Sequence, residues 1–131
     1  MAIEVGTDDA WAYNNHAVLL LRSSGASPKS LEEALESENK AIAINSAIPM
    51  FYFNCAIIKY NMDDLVGAMT DYSRTLELDE NDFDALRERG SLFAELGNVP
   101  SACADWKKAS SLGDKRSADY LQENSEVCKE A

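Results

Sequence analysis

Cations are scarce in this chain. Its 131 residues include 12 Lys and Arg against 23 Asp and Glu, for a formal net charge of −11. Phosphate contacts need clustered Lys and Arg, so this balance argues against a general nucleic-acid binder and against docking on anionic lipid. Long apolar runs are missing too. Ala17–Leu21 is typical of the longest, far short of the roughly 18 residues a membrane span needs. The opening MAIEVGTDD has no basic start and no apolar stretch, and does not read as a signal peptide.

Residues that carry catalysis are equally thin. There is one histidine, His16, placed just before Ala17, where it reads as a partly buried packing residue. No Ser nucleophile elbow, Gly-rich phosphate loop or zinc spacing is present. The sequence therefore points away from an enzyme, from a cofactor and from a metal. The three cysteines, Cys55, Cys103 and Cys128, are odd in number and widely spaced. A disulfide framework wants an even, closer set, so reduced thiols and a cytoplasmic location are expected. The acidic run Asp79, Glu80, Asn81, Asp82, Asp84 lacks the Gly and closing Glu of a calcium loop and reads as a solvated turn.

What the sequence does have is a repeat. Shifting the chain by 34 residues lays Ala34 on Ala68 and Ala102, Tyr72 on Trp106, Tyr52 on Leu86, Ala56 on Gly90 and Asp63 on Gly97. Tyr13, Asn15 and Ala17 match Tyr52, Asn54 and Ala56 once a five-residue insertion in RSSGASPKS is allowed for. Two antiparallel helices approach closely only where a side chain is almost absent, and these small residues sit at the crossing of each pair. Helices are predicted at about 8–23, 30–45, 49–61, 64–78, 83–96, 99–112 and 115–129. Ser30 with Glu33 reads as a capping box, Pro49 and Pro100 as first-turn prolines, and Gly97 and Gly113 as helix stops. The last helix is expected to present Ala118, Leu121 and Cys128 on one face.

The pattern resembles the tetratricopeptide repeat, most closely at Leu86, Gly90, Phe93, Gly97, Ala102, Trp106 and Ala109. The segment DWKKASSLGDKRSADYL looks like the end of bacterial members. The resemblance implies an all-α superhelix, a single domain over 1–131 with repeats at about 10–48, 49–82 and 83–116 and a capping helix at about 115–129. Ser46, Glu80 and Asp114 replace the family's closing Pro, while Lys59 replaces an aromatic and Arg89 a Leu, so those positions should be half-solvated or their stems must snorkel.

The resemblance also implies which side chains face a concave groove: Trp11, Asn14, Asn15, Val18, Leu21 and Arg22 from the first repeat. The second offers Met50, Phe53, Asn54, Ile57, Tyr60 and Asn61. The third offers Arg87 and Ser91 with the acids Asp84, Glu88 and Glu95. Aromatic anchors beside Asn amides suit an extended peptide or a helix of a partner protein. Asp84 and Glu88 stand where members that grip chaperone C-termini carry basic residues, so an acidic tail is disfavoured. The alternative is a self-associating scaffold, a homodimer with the groove filled by a second chain.

Overall fold

The computed structural model describes residues 7–23 and 27–129. Among them all regular structure is helical: α1 (Thr7–Ser23), α2 (Pro28–Ile44), α3 (Pro49–Asn61), α4 (Leu65–Leu78), α5 (Phe83–Glu95), α6 (Val99–Ser111), α7 (Lys115–Glu123) and α8 (Ser125–Cys128). The starts are written in short polar residues whose side chains accept a first-turn N–H. Ser27 caps α2, Asp82 caps α5, Asn98 caps α6 and Asp114 caps α7. Pro28, Pro49 and Pro100 fall in first turns, where a missing N–H costs nothing. Gly97 and Gly113 close their helices with φ of 87° and 103°, and Asp63, at the position equivalent to Gly97, adopts φ 66°.

Two expected features change. The cap of α2 is Ser27, whose hydroxyl accepts the Ser30 N–H at 3.2 Å, and not the Ser30/Glu33 box. Pro28 explains the shift, because it starts the helix two residues earlier than the hydrophobic pattern does. The C-terminal helix is two helices, broken at Asn124, whose side chain bonds back to the Tyr120 carbonyl at 2.8 Å. The face it buries is Ser117 and Cys128, with Tyr120 and Leu121 half-buried, while Ala118 is exposed. The middle of the insertion, residues 24–26, lies outside the described residues.

The chain divides into two compact units, one ending at Arg74 and the other beginning at Thr75. In the first, α1 and α2 meet over Ala17, Leu31 and Ala34, with Ile58 of α3 completing the cluster and Leu20, Leu21 and Leu35 packed on it. Ala10, Ala41 and Phe51 form a second cluster under Trp11, Ile42, Ile44 and Ile48. In the second unit, Ala102, Cys103, Trp106 and Cys128 are the centre, flanked by Phe93, Val99, Tyr120 and Leu121. Gly90 is required there: a Cβ would lie 2.7 Å from Trp106 Nε1 and 2.8 Å from its Cδ1. The repeat's small residues Ala17, Ala34, Ala56, Ala68 and Ala102 are all fully buried, as the close-contact argument demands.

The expectation of reduced thiols is corrected for one pair. Cys103 on α6 and Cys128 on α8 are joined by a disulfide with Cα atoms 5.2 Å apart. Spacing in sequence carried no sign of it, because the pair is made by α8 folding back on α6. Cys55 is free and buried, and burial first, then the charges of Asp71 and Glu38, push its thiol up to about 12. It is a small core residue and not a nucleophile. His16 is also corrected: it is exposed, lining an open cleft between α1 and α2.

Candidate functional site

Helices α1 and α3 lie side by side in the first unit and carry most of the predicted recognition residues. Trp11 is half-buried, its ring edge-on to Phe51 with centroids 5.0 Å apart. Phe53 is half-buried against Tyr72 at 5.7 Å. Val18, Leu21 and Ile57 are half-buried as well, while Met50, Tyr60, Asn15, Arg22 and Asn61 are exposed. The Asn61 amide is used locally, donating to the Ile57 carbonyl at 2.9 Å. The wall is thus apolar, with aromatic rings braced from behind and Met50 and Tyr60 reaching outward.

Of the predicted amides, Asn54 meets Asn14, with Asn54 Nδ2 donating to Asn14 Oδ1 at 2.7 Å, while Asn15 is exposed. Behind them stands Glu38 of α2, fully buried. Burial raises its carboxyl to about 8, and a hydrogen bond from Asn54 offsets only part of that. Glu38 was not singled out by sequence reasoning, yet two signals mark it. It falls on the buried stripe of α2 with Leu31, Ala34 and Ala41, and it stands at the repeat position held by Tyr72 and Trp106.

Lys59 and Arg89, which stand in for apolar residues, are half-solvated, and each is held by an acid. Lys59 Nζ lies 2.8 Å from Asp71 Oδ2. Burial alone would lower the Lys59 ammonium, but the Asp71 bond and charge outweigh it and the net shift is upward. Arg89 grips both oxygens of Asp105 at 2.8 Å. Asp71 and Asp105 are repeat equivalents, so each unit answers an inserted cation with an acid from the second helix of its pair.

On α5, in the second unit, the predicted Arg87 is buried and saturated. Its guanidinium bonds Asp114 at 2.9 Å, Asp84 at 2.9 Å and Glu88 at 3.3 Å. Ser91 is half-buried and Glu95 exposed. Asp114 explains the lost closing Pro, since it caps α7 through Ser117 and holds Arg87 with its other oxygen. Burial would raise its carboxyl, but Ser117 and Arg87 outweigh that and hold it below the usual range. In the acidic run, Asp82 accepts the Ala85 N–H at 3.1 Å and Asp79 the Asn81 N–H at 3.2 Å, so these carboxylates organise the turn.

No family model matches the chain. It is 29% identical over 89 residues to the RNA polymerase II-associated protein 3 of Xenopus tropicalis, a match covering 68% of the chain and 13% of that protein. It is 33% identical over 61 residues to Hsp70-Hsp90 organizing protein 1 of Glycine max, covering 47% of the chain and 11% of that protein. The chain therefore corresponds to a small part of these curated relatives. Among solved structures, the first tetratricopeptide-repeat domain of Spaghetti (RPAP3), bound to the HSP90 peptide SRMEEVD, superposes with a TM-score of 0.82. That match covers 93% of this chain and 97% of the other at 15% identity. With its small residues buried at each helix crossing and this superposition over nearly its whole length, the chain has the fold of a tetratricopeptide-repeat domain.

Proposed function

We propose that the chain is a non-catalytic interaction module that binds a peptide segment of a partner protein on the wall formed by α1 and α3. The observation that carries this is the wall itself: Phe53 and Ile57 half-buried, Met50 and Tyr60 exposed, and the Asn54 amide set among them. Braced aromatic and aliphatic anchors with a placed amide are what an extended segment needs. The similar domain of Spaghetti holds a peptide, which supports the same use of this fold here. Trp11, Asn14, Val18 and Leu21 back the wall, while Asn15, Arg22 and Asn61 form its rim. Arg87 and Ser91 of α5 are the second unit's share of the proposed recognition residues. The saturation of Arg87 by Asp84, Glu88 and Asp114 supports a segment other than an acidic tail.

Affinity capture from native lysate with wild type and with the Phe53→Ala and Asn54→Ala variants tests the reading. Partners recovered by wild type should drop at least tenfold in affinity with Phe53→Ala while circular dichroism is unchanged. Undiminished binding places the partner surface elsewhere. Light scattering at micromolar concentration separates the self-associating alternative, which requires twice the monomer mass.

Among the described residues no helix is long and apolar enough to cross a membrane. The cytoplasmic expectation rests on cysteine usage, and the Cys103–Cys128 bond is the kind kept in oxidising compartments. Thiol titration of the native protein decides: one reactive thiol on unfolding means the bond persists, three mean a reducing setting. A bacterial affinity is supported by the C-terminal segment alone.

A further inference from the structure

A negative charge on Glu38 would have nothing to neutralise it. The side chain is fully buried on α2, and among the described residues no cation touches it. The nearby Lys59 is committed to Asp71, and Lys40 lies outside against Glu36. From α1 Glu38 meets Asn14, and from α3 it meets Asn54. The other titrating groups around it are Cys55 on α3 and, beyond that thiol, Asp71 on α4. None of these supplies a positive charge.

The three polar groups form a closed triangle. One terminal atom of the Asn14 amide lies 2.9 and 3.3 Å from the two Glu38 oxygens and 2.7 Å from Asn54 Nδ2. Asn54 also bonds Glu38 directly. An ionised carboxylate only accepts, so both amides would have to turn nitrogen toward it. Two nitrogens would then face each other across the third side at 2.7 Å, donor against donor. With a proton on Glu38 the conflict disappears. Its O–H donates to Asn14 Oδ1, while Asn54 Nδ2 donates one hydrogen to that same oxygen and the other to the Glu38 carbonyl. The triangle closes only around the neutral acid.

We infer that Glu38 is a positioning residue of the peptide wall, a neutral acid that locks both amides so that Asn54 meets a ligand through Oδ1 alone. Both Asn54 N–H groups are spent inward, so the atom left for recognition is an acceptor. It selects a backbone N–H of an extended segment over a carboxylate at that point. The statement about the ligand rests on the peptide-binding reading above; the lock does not. Its sequence origin is the repeat register, in which Glu38 replaces the large aromatic of the later repeats. The degenerate first repeat exchanges a packed ring for a hydrogen-bonded acid aimed at the neighbouring helices.

Glu38→Gln tests the lock, because its amide can donate and accept at the same positions as the neutral acid. Glu38→Leu removes the hydrogen bonds but keeps much of the volume. Denaturant unfolding of the whole chain is followed from pH 5 to 9 in all three proteins. The carboxyl is raised from 4.5 to about 8 in the folded protein, so the folded state holds a proton that the unfolded chain has released. Wild type should lose stability relative to Glu38→Gln as pH rises through this window, by about tenfold in the folding equilibrium per pH unit, and level off above it. Glu38→Leu should be less stable than Glu38→Gln at every pH. Parallel curves for wild type and Glu38→Gln overturn the proposal, as does a Glu38 carboxyl carbon that titrates at the ordinary glutamate value. The orientation is read separately by NMR: the Asn54 side-chain NH₂ protons should exchange slowly in the free protein. Fast exchange overturns the acceptor assignment. Neither measurement uses a peptide, so a failed lock is distinguishable from a failed binding surface.

Discussion

The two units bury polar groups in opposite ways. The second buries a cation, Arg87, and surrounds it with Asp84, Glu88 and Asp114. The first buries an acid, Glu38, and surrounds it with amides. A buried charge survives only if a partner repays its lost hydration; without one the group gives up the charge. Arg87 therefore keeps its proton and Glu38 takes one up. Their pH responses run in opposite senses. Asp114, lowered below 3.8, contributes stability that is present above that value and is lost as acid protonates it. Glu38, raised to about 8, contributes stability that is full below 4.5 and is lost as pH rises toward 8.

The sharpest way to break this contrast is Arg87→Ala, which strands the buried Asp114. We expect a loss of about 3–5 kcal/mol by denaturant titration, against no loss for Glu38→Gln at pH 7. Comparable losses would mean that both units depend on ion pairing. Reduction of the disulfide acts on the second unit only, where Cys103 and Cys128 are 25 residues apart. A loop of that size predicts a loss of about 3 kcal/mol on adding reductant, with the Cys103→Ala/Cys128→Ala double variant insensitive to it. Gly90→Ala sets a methyl against the Trp106 indole and should cost about 1–3 kcal/mol as the ring is displaced, with a change in Trp fluorescence. The mildest is Asp63→Gly in the first unit. Relief of a left-handed φ is worth about 1–2 kcal/mol and the added freedom of the unfolded chain takes back about 0.5–1, leaving a net gain of roughly 0.5 kcal/mol in melting experiments.

Much of the architecture was legible because it depends on residue size at fixed intervals. Ala34, Ala68 and Ala102 mark the crossings, and Gly97 with Asp63 marks equivalent left-handed turns. Helix α3 has the predicted bounds, since Pro49 announces its start. The site was legible in part. Phe53 and Ile57 are half-buried on α3 and Asn54 reaches Asn14 of α1, but Trp11 leans on Phe51 and Arg87 is consumed by its own acids. Repeat alignment made Asn15 the equivalent of Asn54, but equivalence is not contact, and the amide that meets Asn54 is Asn14. The ion pairs Lys59–Asp71 and Arg89–Asp105 were missed for a related reason. Each partner looks like an ordinary solvated charge until two helices are laid together.

By itself, the order of small, bulky and capping residues determined where the helices start and stop and which faces close against each other, since these follow from local sterics and the 34-residue period. Only the tertiary structure decided the protonation of Glu38, the joining of Cys103 to Cys128 and the silence of Arg87. Each of those depends on which groups distant in sequence are brought within 3 or 4 Å, where hydration is lost and a hydrogen bond or a charge must take its place.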